Sequence, residues 1–243
     1  MNIVINGANG RMGRILAEAI EQGGADAVAA KVDWSYAAVD GYSELKQYEG
    51  PADVVIDFSN HTATAAVAEY CAARKLPVVV ATTGQTEAEL AQIQALSQSV
   101  PVFLSANMSI GIALLAELAK KAASVFPEAD IEIIERHHNQ KLDVPSGTAL
   151  LLARRVREAK PEAEFLVGRR ENGKRTRNEI GIHSLRYGNE VGTHEIIIAT
   201  GSETITLKHE AENRALFAQG ALAAAAFLIG RAPGLYDMRS IVE

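Results

Sequence analysis

The sequence predicts an α/β protein in which a doubly wound parallel sheet is joined to a smaller α+β domain with an open mixed sheet. The first part of the chain alternates short apolar runs with helical patterns, which is typical of a parallel sheet built from βαβ units. Aromatic residues make up only 5% of the chain, which favours helices packed on a parallel sheet over a β-sandwich. After residue 107 the pattern changes, which indicates a second domain.

Five apolar runs in the first part of the chain predict strands, and three helical patterns lie between them. The predicted strands are Ile3 to Ile5, Ala27 to Val32, Val54 to Phe58, Pro77 to Ala81 and Val100 to Leu104. The predicted helices are Arg14 to Glu21, Thr62 to Arg74 and Glu87 to Ser97. Thr86 followed by Glu89 fits a capping box that opens the third helix.

The second part of the chain predicts longer helices and a run of strands. In order, we expect a helix at Ile110 to Val125, a strand at Ile131 to Glu135, a polar segment at His137 to Pro145 and a helix from about Thr148 to Ala159. The stretch from Glu179 to Glu210 predicts consecutive antiparallel strands, with turn signals at Gly188-Asn189 and Gly201-Ser202. The last helix, Asn213 to Ile229, is rich in alanine on nearly every face, so we expect it to pack against the first domain.

Composition and charge exclude several classes of protein. The chain has 243 residues with a formal net charge of −6, which is not the electrostatic footprint of a nucleic-acid binder. The apolar run from Gly220 to Gly230 is too short to cross a bilayer. A single cysteine, Cys71, and the lack of a secretory pattern at Met1 predict a cytoplasmic protein. The basic cluster from Arg169 to Arg177 predicts a solvated mobile loop.

A glycine-rich turn, GANGRMG from Gly7 to Gly13, lies between the first predicted strand and the first predicted helix. Glycines at such a turn let backbone amides approach a pyrophosphate, and the helix presents its positive end to the same anion. Asp33 ends the second predicted strand, where a carboxylate is expected to bind the adenosine ribose. The alternative is that the glycines only make a tight turn and that Asp33 only ends a strand.

Asp33 favours NADH over NADPH, because a carboxylate repels a 2′-phosphate. Three basic residues would soften that penalty: Arg11, Arg14 and Lys31. Two further strand ends, Asp57-Phe58-Ser59 and Ala81-Thr82-Thr83-Gly84, are suited to a nicotinamide ribose, because ligands of open parallel sheets bind beyond the carboxyl ends of strands.

The segment ERHHNQKLDVPSGTA, from Glu135 to Ala149, concentrates residues that bind anions. Lys141 and at least one imidazole are suited to surround a dianionic substrate. Three residues that open a helix add backbone and hydroxyl donors for a carboxylate: Ser146, Gly147 and Thr148. The adjacent His137 and His138 point to opposite sides of an extended chain, so we expect no catalytic metal.

These segments resemble a known family. The GANGRMG turn, the ATTG and SANMSIG segments and above all ERHHNQKLDVPSGTA are similar to dihydrodipicolinate reductases, also called 4-hydroxy-tetrahydrodipicolinate reductases, of the diaminopimelate route to lysine. The resemblance extends essentially from end to end. Arg136, Val144 and Ser59 depart from the residues more usual at those positions, and none removes a functional group that the chemistry requires.

The resemblance implies a Rossmann-type domain at residues 1–107 and 212–243 that binds NADH or NADPH. It implies a substrate-binding and tetramerisation domain at residues 108–211, hinges near Asn107 and Glu212, and a homotetramer. The matching cofactor-binding positions are Gly7, Ala8, Asn9, Gly10, Arg11, Met12, Asp33, Ala81, Thr82, Thr83, Ser105, Ala106, Asn107 and Met108. The matching substrate-binding positions are His138, Lys141, Gly147 and Thr148, to which the local pattern adds Ser146.

The implied reaction is reduction of 4-hydroxy-tetrahydrodipicolinate, through its dehydrated imine, to tetrahydrodipicolinate. The resemblance gives His137 and Lys141 as the proton donors. Hydride would reach ring C4, and we expect the two domains to close on their ligands. One alternative is another two-domain dehydrogenase, acting on aspartate or homoserine, which is not expected to carry this histidine and lysine segment. A second is a nonenzymatic NAD(P) sensor, against which the intact His137, His138 and Lys141 argue.

Overall fold

The computed structural model describes residues 1–37 and 39–243. Its strands are β1 Asn2–Asn6, β2 Ala27–Val32, β3 Val54–Asp57, β4 Val78–Val80, β5 Pro101–Leu104, β6 Asp130–His137, β7 Glu164–Val167, β8 Glu179–Arg186, β9 Gly192–Ala199, β10 Thr204–Ala211 and β11 Gly234–Tyr236. Its α-helices are α1 Arg11–Gly23, α2 Thr64–Arg74, α3 Glu87–Leu96, α4 Ile110–Val125, α5 Gly147–Arg157, α6 Ala215–Leu228 and α7 Arg239–Val242. Single 3₁₀ turns lie at Leu45–Gln47 and His61–Ala63.

The chain divides into two compact units. The first unit comprises Met1–Ile110 and Arg214–Glu243, and the second comprises Gly111–Asn213. Of the helices at residues 1–37 and 39–243, none is both long enough and apolar enough to span a membrane.

The sheet of the first unit has six parallel strands in the order β11-β5-β4-β3-β1-β2. Its central strands are buried on both faces, which explains their unbroken apolar runs, such as Ile3 to Ile5 and Val54 to Ile56. The chain leaves β1 towards β2 and returns on the other side as β3. This reversal places a ligand crevice beyond the carboxyl ends of β1 and β3.

The last long helix, α6, completes the first unit. It contacts α1 and the strands β3, β4 and β5, as its alanine-rich composition predicts. Gly220 allows the closest approach, because a Cβ there would lie 1.6 Å from the carbonyl oxygen of Met108. The short edge strand β11 follows this helix and was not predicted, since three residues carry little periodicity.

The sheet of the second unit is mixed, in the order β10-β9-β6-β8-β7. The predicted hairpin at Gly201-Ser202 joins β9 and β10. The prediction of a second hairpin at Gly188-Asn189 is wrong, because β8 and β9 do not pair with each other. Here β6 lies between β8 and β9, parallel to the first and antiparallel to the second. Pairing with β6 aligns two isoleucines from each of the three strands on the face covered by α4 and α5: Ile131, Ile133, Ile180, Ile182, Ile196 and Ile198.

The same face of this sheet changes from apolar to ionisable towards the carboxyl end of β6. Beyond the isoleucine layers, the register pairs Glu135 with His194 of β9, and His137 with Arg186 of β8. The helix α5 begins here, since the amide of Ser146 donates to Glu135. The second unit therefore joins a packed core to a cluster of titratable side chains.

The basic cluster at Arg169 to Arg177 is less solvated than predicted. Arg169 forms an ion pair with Glu179 at 2.6 Å, and the Nε of Arg175 lies 2.8 Å from a carboxylate oxygen of Asp130. Only 18% of the Arg175 side chain is exposed. These arginines therefore attach the segment to the ends of β6 and β8, where acidic residues neutralise them.

Candidate active site

The glycine turn has the geometry of a phosphate cradle. Gly7 has a φ of +81°, and a Cβ there would lie 2.7 Å from the backbone of Phe58. A Cβ on Gly13 would lie 2.2 Å from the carbonyl oxygen of Gly7, so only glycine lets α1 pack on the turn. The N-cap of α1 is Gly10, whose lack of a side chain leaves the first amides of the helix to a ligand or water.

Asp33 is hydrogen-bonded to this turn. One carboxylate oxygen accepts from the amide of Asn9 at 3.1 Å, and the other accepts from the amide and hydroxyl of Ser35 at 3.0 and 2.6 Å. The side chain of Asn9 donates to the Ser35 hydroxyl at 2.8 Å. Gly7, Gly10 and Asp33 line one cavity of about 970 Å³, together with Trp34 and residues of α2. The structure thus brings the predicted glycines and acid together.

The ends of β1, β3 and β4 are held by one buried carboxyl group. Asp57 accepts from Asn6 at 2.8 Å, from the Ser59 hydroxyl at 2.5 Å and from the Thr82 hydroxyl at 2.9 Å. Burial raises the pKa of Asp57, and these hydrogen bonds oppose the shift. Both carboxyl oxygens are engaged within the protein, so Asp57 fixes the edge of the sheet. Thr82 is buried, whereas Thr83 is exposed.

The segment from Ser105 to Met108 continues this edge after β5. The Ser105 hydroxyl donates to the carbonyl of Asn107 at 2.7 Å, and the Asn107 side chain accepts from the amide of Ser109 at 2.8 Å. Met108 is buried and Ala106 is exposed. The four segments predicted to bind coenzyme therefore lie at the carboxyl ends of neighbouring parallel strands.

In the second unit, a buried carboxylate holds the imidazole of His137. The carboxylate of Glu135 is fully buried, and its Oε2 lies 2.5 Å from Nδ1 of His137. Arg186 donates to both carboxylate oxygens, at 2.8 and 2.7 Å. Burial alone would raise the pKa of Glu135, but the hydrogen bonds from His137 and Arg186 outweigh it and hold the pKa well below its usual range. Glu135 is therefore an anion at neutral pH.

Ser146 caps α5 and contacts a histidine that the sequence pattern did not single out. Its hydroxyl accepts from the amide of Ala149 at 3.1 Å and lies 3.1 Å from Nε2 of His194. The ring of His194 makes an edge contact with the ring of His137, with centroids 5.2 Å apart. Since the amide of Ser146 donates to Glu135, both polar groups of this serine are engaged within the protein.

Lys141 and the start of α5 add further positive charge next to Arg186. The Nζ of Lys141 lies 2.8 Å from a carboxylate oxygen of Asp143, and its amide donates to the carbonyl of His138. Burial opposes ionisation of Asp143, but Lys141 lowers the pKa of that carboxyl. Gly147 is exposed at the first position of α5 and Thr148 is half-buried beside it. A substrate carboxylate that reaches this segment competes with Asp143 for the ammonium group.

Lowering the pH from 7 to 5 is expected to destabilise the protein through His194. Burial, followed by repulsion from His137, lowers the pKa of His194 from 6.5 to about 3. The folded protein then keeps this imidazole neutral while the unfolded chain binds a proton below pH 6.5. The free energy of unfolding therefore falls as the pH drops through this window, by about 2 kcal/mol at pH 5.

Urea unfolding at pH 7 and pH 5 measures this effect. We expect His194→Gln to remove about 2 kcal/mol of the difference between the two pH values, whereas His183→Gln, on the other face of the same sheet, keeps it. An unchanged difference in His194→Gln would show that another group is responsible.

Both parts of the chain match family models. Residues 1–108 match the model described as dihydrodipicolinate reductase, N-terminus, and residues 111–242 match the model of its C-terminus. The chain belongs to the dihydrodipicolinate reductase family. The predicted resemblance is confirmed, and so is the function that it implies, an NAD(P)H-dependent reductase of diaminopimelate and lysine biosynthesis.

Named relatives cover the chain from end to end. The 4-hydroxy-tetrahydrodipicolinate reductase of Caldanaerobacter subterraneus subsp. tengcongensis is 46% identical. The alignment covers 100% of this chain and 98% of the relative. The Clostridium tetani reductase is 43% identical, and the alignment covers 98% of this chain and 95% of the relative. A dipicolinate-bound dihydrodipicolinate reductase from Paenisporosarcina sp. TG-14 has a TM-score of 0.79 at 25% identity, with 99% of both chains covered. The predicted α/β fold with a second mixed sheet is confirmed. The roles of the individual site residues remain predictions.

Proposed function

We propose that this chain reduces the dehydrated imine of 4-hydroxy-tetrahydrodipicolinate, with His137 as proton donor and Lys141 as the anchor of a substrate carboxylate. The observation that carries the proposal is the Glu135–His137 pair, which lies beside the amino end of α5 and in the same segment as Lys141. An acid, a cation and a helix N-terminus on one short segment suit a substrate that is a dianion and must gain a proton.

The residues of the second unit divide the chemistry between them. Hydride addition at ring C4 leaves an electron pair on the ring as an anionic enamine, and one proton neutralises it. The ammonium group of Lys141 opposes this developing negative charge, and His137 delivers the proton. The backbone amides of Gly147 and Thr148 are the proposed donors to the second carboxylate, together with His138.

The first unit fits a dinucleotide. Its cradle is shaped by Gly7 and Gly13, where any Cβ would collide with backbone, and the cradle adjoins the fixed carboxylate of Asp33. Gly7 to Met12 would hold the pyrophosphate, Asp33 the adenosine ribose, and the segments at Ala81 to Thr83 and Ser105 to Met108 the nicotinamide end. NADH or NADPH bound there supplies the hydride.

We propose a preference for NADH. Two of the three basic side chains that would favour a 2′-phosphate are already paired, since Arg14 donates to Asn9 at 2.6 Å and Lys31 lies 3.4 Å from Glu21. Trp34 follows the acid and is 88% exposed, so the position next to the ribose carries no cation. Arg11, exposed at the start of α1, is the third basic side chain, and we propose that the charge of Asp33 outweighs it towards a 2′-phosphate.

Replacing Asp33 by serine is expected to lower kcat/KM for NADH by about 10- to 100-fold. This factor corresponds to the free energy that a hydrogen bond to a charged group contributes. The same change removes the repulsion, so the ratio of NADPH to NADH efficiency rises. Steady-state kinetics with each coenzyme measures both effects. Asp40→Ser, on an exposed carboxylate of the same connection, is the control. An unchanged ratio would remove Asp33 from coenzyme discrimination.

The function is tested by supplying the aldolase product of pyruvate and aspartate semialdehyde and following the loss of NADH or NADPH absorbance. We expect oxidation that depends on this product and fails with oxaloacetate plus ammonium or with aspartate semialdehyde, the oxidised partners in aspartate and homoserine dehydrogenation. Coenzyme binding without oxidation would support the nonenzymatic sensor instead. Oxidation with one of the other substrates would support a related dehydrogenase.

We also propose that the first unit is the coenzyme domain and that the second binds substrate and assembles a homotetramer in the cytoplasm. The face of the second sheet away from α4 and α5 supports the assembly, because it presents Ile134, Ile197 and the exposed Leu185 among charged residues. Such a face is typical of a surface that a second copy covers.

A further inference from the structure

We propose that Glu135 and Gly192 are positioning residues for His137: the carboxylate fixes Nδ1, and the missing side chain at Gly192 leaves room at Nε2. This inference rests on the proposed role of His137 as proton donor. It adds two residues outside the His-His and Ser-Gly-Thr motifs to the catalytic apparatus of the second unit.

Glu135 determines which nitrogen of His137 can deliver a proton. An ionised carboxylate only accepts hydrogen bonds, so Nδ1 of His137, at 2.5 Å, carries a hydrogen. Glu135 cannot turn away, because Arg186 binds both its oxygens and the amide of Ser146 binds one of them. The transferable proton is therefore the one on Nε2, and Nδ1–H stays with Glu135 throughout the step.

Gly192 is the first residue of β9 and lies against the other side of the same ring. A Cβ there would lie 2.8 Å from Nε2 of His137, closer than Cβ atoms approach other groups, and 3.1 Å from Cδ2. The strand backbone at this position does not itself require glycine, since Gly192 is not among the residues with positive φ. The glycine is therefore explained by the space it leaves at the reactive nitrogen.

The imidazole cannot move to accommodate a larger residue. Glu135 holds Nδ1, and the ring of His194 packs edge-on at 5.2 Å. His194 is itself buried and held by the Ser146 hydroxyl at 3.1 Å. A methyl group at Gly192 would have to displace Nε2, the atom that meets the substrate. A displacement of about 1 Å at a reacting group lowers turnover about 100-fold.

The test compares Glu135→Gln and Gly192→Ala with two matched controls. Glu132→Gln changes an acid of the same strand that points to the opposite face, and Gly173→Ala adds a methyl group where open space surrounds it. We expect each test variant to lose about 10- to 100-fold in kcat. Binding of NADH and of pyridine-2,6-dicarboxylate should change less than about threefold, because neither residue is proposed to touch them.

A double-mutant cycle separates positioning from a merely structural role. If Glu135 acts through His137, Glu135→Gln added to His137→Gln causes no further loss of kcat. Solvent and coenzyme isotope effects give a second readout. In Glu135→Gln the effect of D₂O on kcat rises and that of 4-deuterated NADH falls, because proton transfer becomes the slower step.

The wild-type protein provides a measurement that does not depend on any variant folding. Nitrogen NMR of His137 is expected to show a proton on Nδ1 at every pH where the enzyme is active. A neutral ring protonated only on Nε2 would overturn the inference. Two further results would overturn the inference, provided that His137→Gln itself lowers turnover. One is wild-type turnover in Glu135→Gln, and the other is additive losses of kcat in the double-mutant cycle. Wild-type turnover in His137→Gln would instead overturn the proton-donor proposal itself.

Discussion

Replacing His137 by glutamine is expected to lower kcat by about 10² to 10⁴-fold, the usual contribution of a positioned acid. Glutamine keeps a hydrogen-bond donor near Glu135 but has no proton to deliver at neutral pH. Binding of NADH is expected to be unchanged, because the proposed coenzyme residues lie in the first unit. Single-turnover kinetics and a coenzyme titration measure the two quantities separately.

The control for this variant is His183→Gln, which changes a histidine on the opposite face of the same sheet. It pairs with Glu132 at 2.7 Å and has no proposed catalytic role, so its turnover should equal that of the wild type. Equal losses in both variants would mean that the sheet was disturbed. Wild-type turnover in His137→Gln would remove the imidazole from the mechanism.

Replacing Lys141 by alanine is expected to lower kcat/KM by about 10² to 10³-fold, as the loss of an electrostatic stabiliser does. The ammonium group is proposed to hold a substrate carboxylate and to oppose the charge that develops on the ring. The first role appears as a higher KM and the second as a lower kcat, so the loss should divide between them. Initial rates over a range of substrate concentrations resolve the two.

Lys141→Arg is the informative companion, because it keeps the charge but replaces a compact ammonium with a planar fork. We expect it to recover much of the KM effect and less of the kcat effect. Lys120→Ala, on an ion pair of α4 with Glu158, is the control for loss of a lysine. If Lys141→Ala raises KM and leaves kcat unchanged, Lys141 binds the substrate but does not stabilise the developing charge.

Local patterns were sufficient for the first unit, apart from the short edge strand β11. Glycine spacing, the position of Asp33 and continuous apolar runs all report on neighbouring residues of one βαβ unit, and the structure joins them directly through Asn9 and Asp33. The capping box at Thr86 and Glu89 is equally local, and both of its hydrogen bonds form. Features of this kind are specified within a few residues of sequence.

The second unit depends on contacts between distant residues. The insertion of β6 between β8 and β9 follows from which isoleucine faces align, and a turn signal at Gly188-Asn189 carries no information about it. The pattern at Ser146 predicted a helix start, but its partner His194 lies 48 residues away and was missed. Glu135 did leave a signal, because an acid occupies an apolar position in the alternation of β6 two residues before a histidine.

A crystal structure of the protein with NADH and pyridine-2,6-dicarboxylate tests the central claim most directly. We predict that the dicarboxylate binds Lys141 Nζ and the amides of Gly147 and Thr148, with Nε2 of His137 within hydrogen-bond reach of the ring or one water away. A dicarboxylate bound elsewhere, with His137 and Lys141 engaged only with protein groups, would contradict the account.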